Sequence, residues 1–145
     1  MDPHTLATRC LDSLPRGSVV EQLRHLRICR IGLSEFAPPP HFLLYADKEK
    51  DSLKILLSVK ETEGERMLNA AVAIAHAFSL LPGKIPPFYA FETKMKQWAV
   101  AQGLPELGIG EFCSSFGGQW LGQHVAEFRE LLPKEPERPF ELPPQ

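Results

Sequence analysis

The chain has 145 residues, 43% of them hydrophobic, and a formal net charge of -2. That length suits one compact domain with a tail, and that apolar share excludes global disorder. The near-neutral balance argues against bulk nucleic-acid binding and against an acidic activation segment.

In chain order, Asp2-Pro3 reads as a helix start, with an N-cap carboxylate and a proline at the first helical position; Leu6, Cys10, Leu11 and Leu14 follow on one face. Pro15-Arg16-Gly17 breaks that helix, and Ser18 with Glu21 forms a capping-box pattern for a second. Alternating apolar residues then predict a strand over residues 27 to 33. The stiff Pro38-Pro39-Pro40 spacer, within 37–40, marks the most plausible internal boundary. Two short apolar runs, His41–Ala46 and Leu53–Val59, separated by a charged loop, predict an antiparallel β-hairpin.

Thr62 and Glu65 make another capping box, and the apolar run from Met67 to Leu81 predicts a central helix over about 63–81, buried on most sides. Asn69, Ala73, His76 and Ser79 form a slightly polar seam on it. Asn69 and His76 could line a pocket, although core side chains satisfied by backbone groups explain the same seam. Pro86-Pro87 opens a helix from Phe88 to Gln102, ended by Gly103, and the Phe88, Phe91, Met95, Trp98 stripe reads as core. A short helix near Glu111–Phe116 and a last helix from Gln119 to Leu132, stopped by Pro133, complete the pattern. The expected fold is α+β and mainly helical: an N-terminal helical pair, a short antiparallel hairpin, then three helices packed around the central one. Residues 1–132 form a single compact domain and 133–145 a Pro-rich extended tail.

No catalytic constellation is legible. Ser115-Phe116-Gly117 lacks the first glycine of a nucleophile elbow, because Cys113 stands there. Cys113 and His124 are a formal Cys/His pair without motif support. The five histidines show no zinc-binding spacing, Gly108-Ile109-Gly110 is only part of a dinucleotide fingerprint, and no phosphate loop occurs. No cofactor or metal is therefore expected. The three cysteines are odd in number and widely spaced, which argues against a disulfide framework. With no N-terminal apolar leader and no uninterrupted apolar stretch of about 18 residues, a soluble cytoplasmic protein without membrane contact is expected.

What remains are surfaces. Five arginines, Arg9, Arg16, Arg24, Arg27 and Arg30, crowd the N-terminal segment, whereas seven glutamates lie beyond Leu104. Arg24, Arg27 and Arg30 recur at a spacing of three and could track phosphates or meet an acidic partner. Pro133, Pro136 and Pro139 align on one edge of a polyproline II helix, and Pro133 to Arg138 fits a P-x-x-P-x-[KR] ligand of an SH3-type groove. Phe140 and Leu142 either pack back on the domain or insert into a partner. The expectation is a non-catalytic intracellular adaptor or inhibitor that contacts a protein partner. The alternative is a small DNA-associated regulator using a helix-turn-helix-like unit over residues 88–118 and the arginine face. That alternative is disfavoured because the second helix carries Glu111 and neither Lys nor Arg. A homodimer sharing the apolar central helix is the third reading.

Overall fold

A computed structural model describes residues 1–35, 41–47, 49, 51–105 and 107–142. The first helix, α1 (Pro3–Asp12), starts where the Asp2 carboxylate accepts the Thr5 backbone N–H at 2.9 Å. The second, α2 (Val19–His25), is capped by the Ser18 hydroxyl, which accepts the Glu21 N–H at 3.2 Å. Arg27 then takes a left-handed φ of 62°, which turns the chain straight from α2 into strand β1 (Ile28–Ser34). Strands β2 (Phe42–Asp47) and β3 (Ser52–Ser58) form the antiparallel hairpin that the two apolar runs predict.

The hairpin is half of a larger sheet. The strand order is β2-β3-β1-β4, with β1 parallel to β3 over Ile28–Ser34, and β4 (Phe140–Glu141) antiparallel to β1 on the far edge. The chain before the proline spacer thus pairs with the chain after it, and both contribute to one apolar core. The spacer itself lies outside the described residues.

Helix α3 (Glu63–Ser79) has both halves of its capping box: the Glu65 N–H donates to Thr62 Oγ1 at 3.2 Å, and the Thr62 N–H donates to Glu65 Oε1 at 3.0 Å. One side of α3 lies on β2 and β3, and another meets α5 (Gly108–Leu131), which also packs on α1. Met67, Ala70, Ala71, Ala73, Ile74, Ala75 and Ala77 are therefore buried within the chain, whereas Leu68 is exposed. Two helix boundaries differ from expectation. Phe88–Ala90 is a separate 3₁₀ turn ahead of α4 (Phe91–Ala101), consistent with the two prolines that precede it. The two helices expected over 111–116 and 119–132 are one helix, α5, running through Gly117-Gly118. A Cβ built on Gly117 would stand 3.0 Å from the Ala71 carbonyl carbon and 3.1 Å from Val72 N. The glycine lets α3 and α5 approach backbone to backbone, and that packing outweighs its helix penalty of about 1 kcal/mol. Buried between α5 and α2, the Trp120 indole N–H donates to Gln22 Oε1 at 2.7 Å.

The tail expectation is corrected where the chain is described. Residues 133–139 do not form a continuous polyproline II helix: the Arg138 N–H donates to the Glu135 carbonyl at 3.1 Å, which closes a turn. Beyond the turn, β4 joins the sheet, the Leu142 N–H donates to the Cys29 carbonyl at 3.0 Å, and Phe140 packs against the core. Among the described residues, no helix is long and apolar enough to cross a membrane.

Candidate functional site

An open cleft of about 740 Å³ lies between β2 and the segment that carries the 3₁₀ turn and α4. Phe42, Leu43 and Leu44 of β2 form one wall, Phe88, Tyr89, Phe91 and Met95 the other, and His76 of α3 and Cys113 of α5 reach it as well. Phe91 and Met95 are buried and continuous with the core, so that wall is firm. Phe88 and Tyr89 are different. They are 55% and 87% exposed, an unusual placement for two consecutive aromatic residues.

The chain holds those aromatics out by anchoring the loop before them. At the end of α3 the Leu80 and Leu81 N–H groups close its last turn on the Ala77 and Phe78 carbonyls, and the helix dipole makes that end negative. The Lys94 ammonium of α4 donates to the carbonyls of Leu80, Pro82 and Lys84, with 3.0 Å to Leu80 O and 2.9 Å to Lys84 O. The Arg27 guanidinium donates to the Leu81 carbonyl and pairs with Asp51 at 3.1 Å. Asp51 in turn accepts the Ile85 N–H at 2.9 Å, and this bond, with Arg27 beside it, holds its carboxyl below the usual range. The path from Leu80 to Ile85 is thus fixed by two cations and a carboxylate before it reaches the cleft.

Inside, the cleft is electrically quiet. Burial lowers the His76 pKa to about 4, and the ring stacks edge-on against Phe42 with centroids 5.3 Å apart. Burial pushes the Cys113 thiol up to about 12. At neutral pH both groups are uncharged, so they form no thiolate–imidazolium pair. Charge appears at the rim, where Lys96 pairs with Glu92 at 3.0 Å. The other formal pair, Cys113 with His124, sits eleven residues apart on α5, about 16 Å along its axis. A serine–histidine contact exists elsewhere: His4 Nδ1 lies 2.8 Å from Ser115 Oγ. It is exposed and is completed by Gln119 and Thr8, so it reads as a polar pin between α1 and α5. Among the described residues, no group of three or more His, Cys, Asp or Glu could hold a metal ion.

Of the residues singled out from the sequence, His76 reaches the cleft; Asn69, two turns earlier on α3, is not among the groups lining it. The three arginines do not share a helical face, because α2 ends at His25: Arg24 is on the helix, Arg27 in the turn and Arg30 on β1. Arg27 is engaged as described, and Arg30 faces Glu141 of β4 at 3.6 Å. In the helix-turn-helix alternative the second helix is part of α5, which buries Phe112, Cys113, Phe116 and Trp120 and exposes Glu111, Ser114 and Gly118. In the tail, Pro133 is buried, Pro136 and Arg138 are exposed, Arg138 approaches Glu135 at 3.7 Å, and Pro139, Phe140 and Leu142 are half-buried beside β1. Arg27, Arg30 and residues 139–142 thus make contacts within the fold, whereas Pro136 and Arg138 are exposed. The cleft residues Phe42 to Leu44, Phe88 and Tyr89 were missed. Their one legible signal was Phe88-Tyr89 directly after Pro86-Pro87, which separates them from the helix they seemed to belong to.

No protein-family model, curated protein or solved structure matches the chain.

Proposed function

We propose that this chain is a non-catalytic binding protein that captures an apolar segment of a protein partner in the cleft between β2 and α4. The observation that carries this reading is the pair Phe88 and Tyr89, held in solvent beside a concave apolar wall by an anchored loop. Exposed aromatics next to a pre-formed apolar pocket are the usual anchors of protein recognition. The neutral interior supports binding over catalysis, because neither Cys113 nor His76 is poised near neutral pH to attack or to move a proton. Three free cysteines, two of them buried, support a reducing, intracellular setting.

The test is selection of displayed random peptides on the wild-type protein, with counter-selection on Phe88→Asp/Tyr89→Asp. The reading expects recovered sequences that share large apolar residues and that the double variant rejects. Peptides that bind both proteins equally would refute it. So would a protein that selects no peptide but binds a labelled DNA duplex at low salt.

A further inference from the structure

The polar atoms that the fold leaves open inside the cleft belong to His76. Its ring stands on α3, packs edge-on against Phe42 and lines the cavity. The backbone carbonyl of His76 is used, because the Ser79 hydroxyl donates to it at 2.7 Å. The ring nitrogens are not used. Among the described residues no protein group hydrogen-bonds to either of them, and the buried side-chain nitrogen or oxygen left without a partner is His124 Nε2, not a nitrogen of His76. The His76 nitrogens therefore open toward the cleft that the ring lines.

The charged side chains along the cleft are placed differently. Glu92 and Lys96 are exposed and pair with each other along α4, so they mark the rim. A guest that closes over His76 meets an imidazole held neutral by burial, with one ring N–H that donates and one ring nitrogen that accepts. A leucine or phenylalanine side chain would fill the apolar walls, exclude water and leave both nitrogens unpaired, which costs affinity. A carboxylate or an ammonium would have to shed its own water beside Phe42, Phe91 and Met95, against an uncharged partner. A phenol avoids both costs. Its ring suits the aromatic and thioether walls, and its hydroxyl donates to the bare ring nitrogen or accepts from the ring N–H, whichever tautomer is present.

Resting on the cleft reading above, we propose that His76 is the specificity-determining residue of the cleft, and that the partner's anchor is a tyrosine side chain whose hydroxyl hydrogen-bonds to the His76 ring. A second copy of this chain is a poor source of that tyrosine. The chain has two. Tyr45 is half-buried within β2, and Tyr89 is part of the wall that receives the guest.

N-acetyl-tyrosinamide and N-acetyl-phenylalaninamide are titrated separately into the full chain, and NMR follows the backbone amides and the ring nitrogens of His76. The tyrosine probe binds about three- to tenfold more tightly, the range of one neutral hydrogen bond, and shifts a His76 ring-nitrogen signal in the hydrogen-bonding direction. In His76→Phe the advantage of tyrosine is lost. Equal affinities in the wild type, with amide shifts at Phe42 and Phe88, overturn the proposal and leave the cleft reading standing. So do cleft shifts from the tyrosine probe with the His76 ring nitrogens unmoved, a result that needs no variant to fold. Failure of both probes to shift the cleft overturns the proposal too, and the displayed-peptide selection then decides the cleft reading separately. A concentration-dependent dimer that Tyr89→Phe dissolves assigns the hydroxyl to a second copy and also overturns it.

Discussion

Burial lowers the His76 pKa to about 4, and that makes a quantitative claim about acid. In the unfolded chain its imidazole takes up a proton near pH 6.5; in the folded chain, packed against Phe42, it resists until about pH 4. Between those values the unfolded state holds the extra proton, so stability is complete above about pH 6.5 and declines as the pH falls toward 4. At about 1.4 kcal/mol per pH unit across that window, the loss attributable to His76 reaches about 3 kcal/mol. That is a large part of the ~5–15 kcal/mol typical of a domain. His76→Phe keeps an aromatic ring against Phe42 and removes the titration. Urea unfolding of both proteins, stepped from neutral pH to about pH 4.5, gives the difference directly. His124 is also held neutral by burial and destabilises in the same direction, but it is present in both proteins and cancels. The variant should overtake the wild type as the pH falls. Parallel profiles would refute the claim that a desolvated imidazole lines the cleft.

Gly117→Ala should lower stability by about 1–2 kcal/mol by forcing α3 and α5 apart, whereas Gly122→Ala on the same helix, with nothing within 4 Å of the new methyl, should raise it by about 0.5–1 kcal/mol; chemical unfolding measures both. Phe140→Ala should cost about 1–2 kcal/mol, because β4 is part of the sheet, and unchanged stability would restore the free-tail expectation. Lys94→Met removes the ammonium that three carbonyls share and should cost about 1–3 kcal/mol, with faster amide exchange over residues 80–87; an unaltered exchange pattern would show that the loop is held by other contacts.

The legible parts of this fold are those in which local chemistry and tertiary packing agree. Asp2-Pro3, Ser18 and the Thr62/Glu65 box start three helices where their hydrogen bonds say they should, and the paired apolar runs form the β2–β3 hairpin. The parallel β1–β3 pairing could not be read, because periodicity gives a strand but not its neighbour. Two residues of β4 carry no periodicity at all, and the prolines beside them read as a tail. Gly117-Gly118 looked like a break for the same reason it is a contact: with no side chain, it favours a loop in isolation and a close approach once α3 is there. The cleft was illegible for a simpler reason. Its walls come from β2, α3, α4 and α5, and the sequence signal at Phe88 was the same apolar spacing that marks the core at Phe91 and Met95. The three arginines at a spacing of three promised one face only if the helix continued past His25, which the left-handed turn at Arg27 prevents.

The most direct test of the binding account is where a selected peptide lands. Amide chemical-shift mapping of the full chain, titrated with the tightest peptide from the displayed selection, reads every surface at once. The account predicts shifts concentrated at Phe42–Leu44, His76, Phe88–Met95 and Ile109–Cys113, with the turn at Glu135–Arg138 and Arg24 of α2 silent. Shifts confined to residues 133–142, or to Arg24 and its neighbours, would contradict it and return the binding surface to the tail or the basic segment.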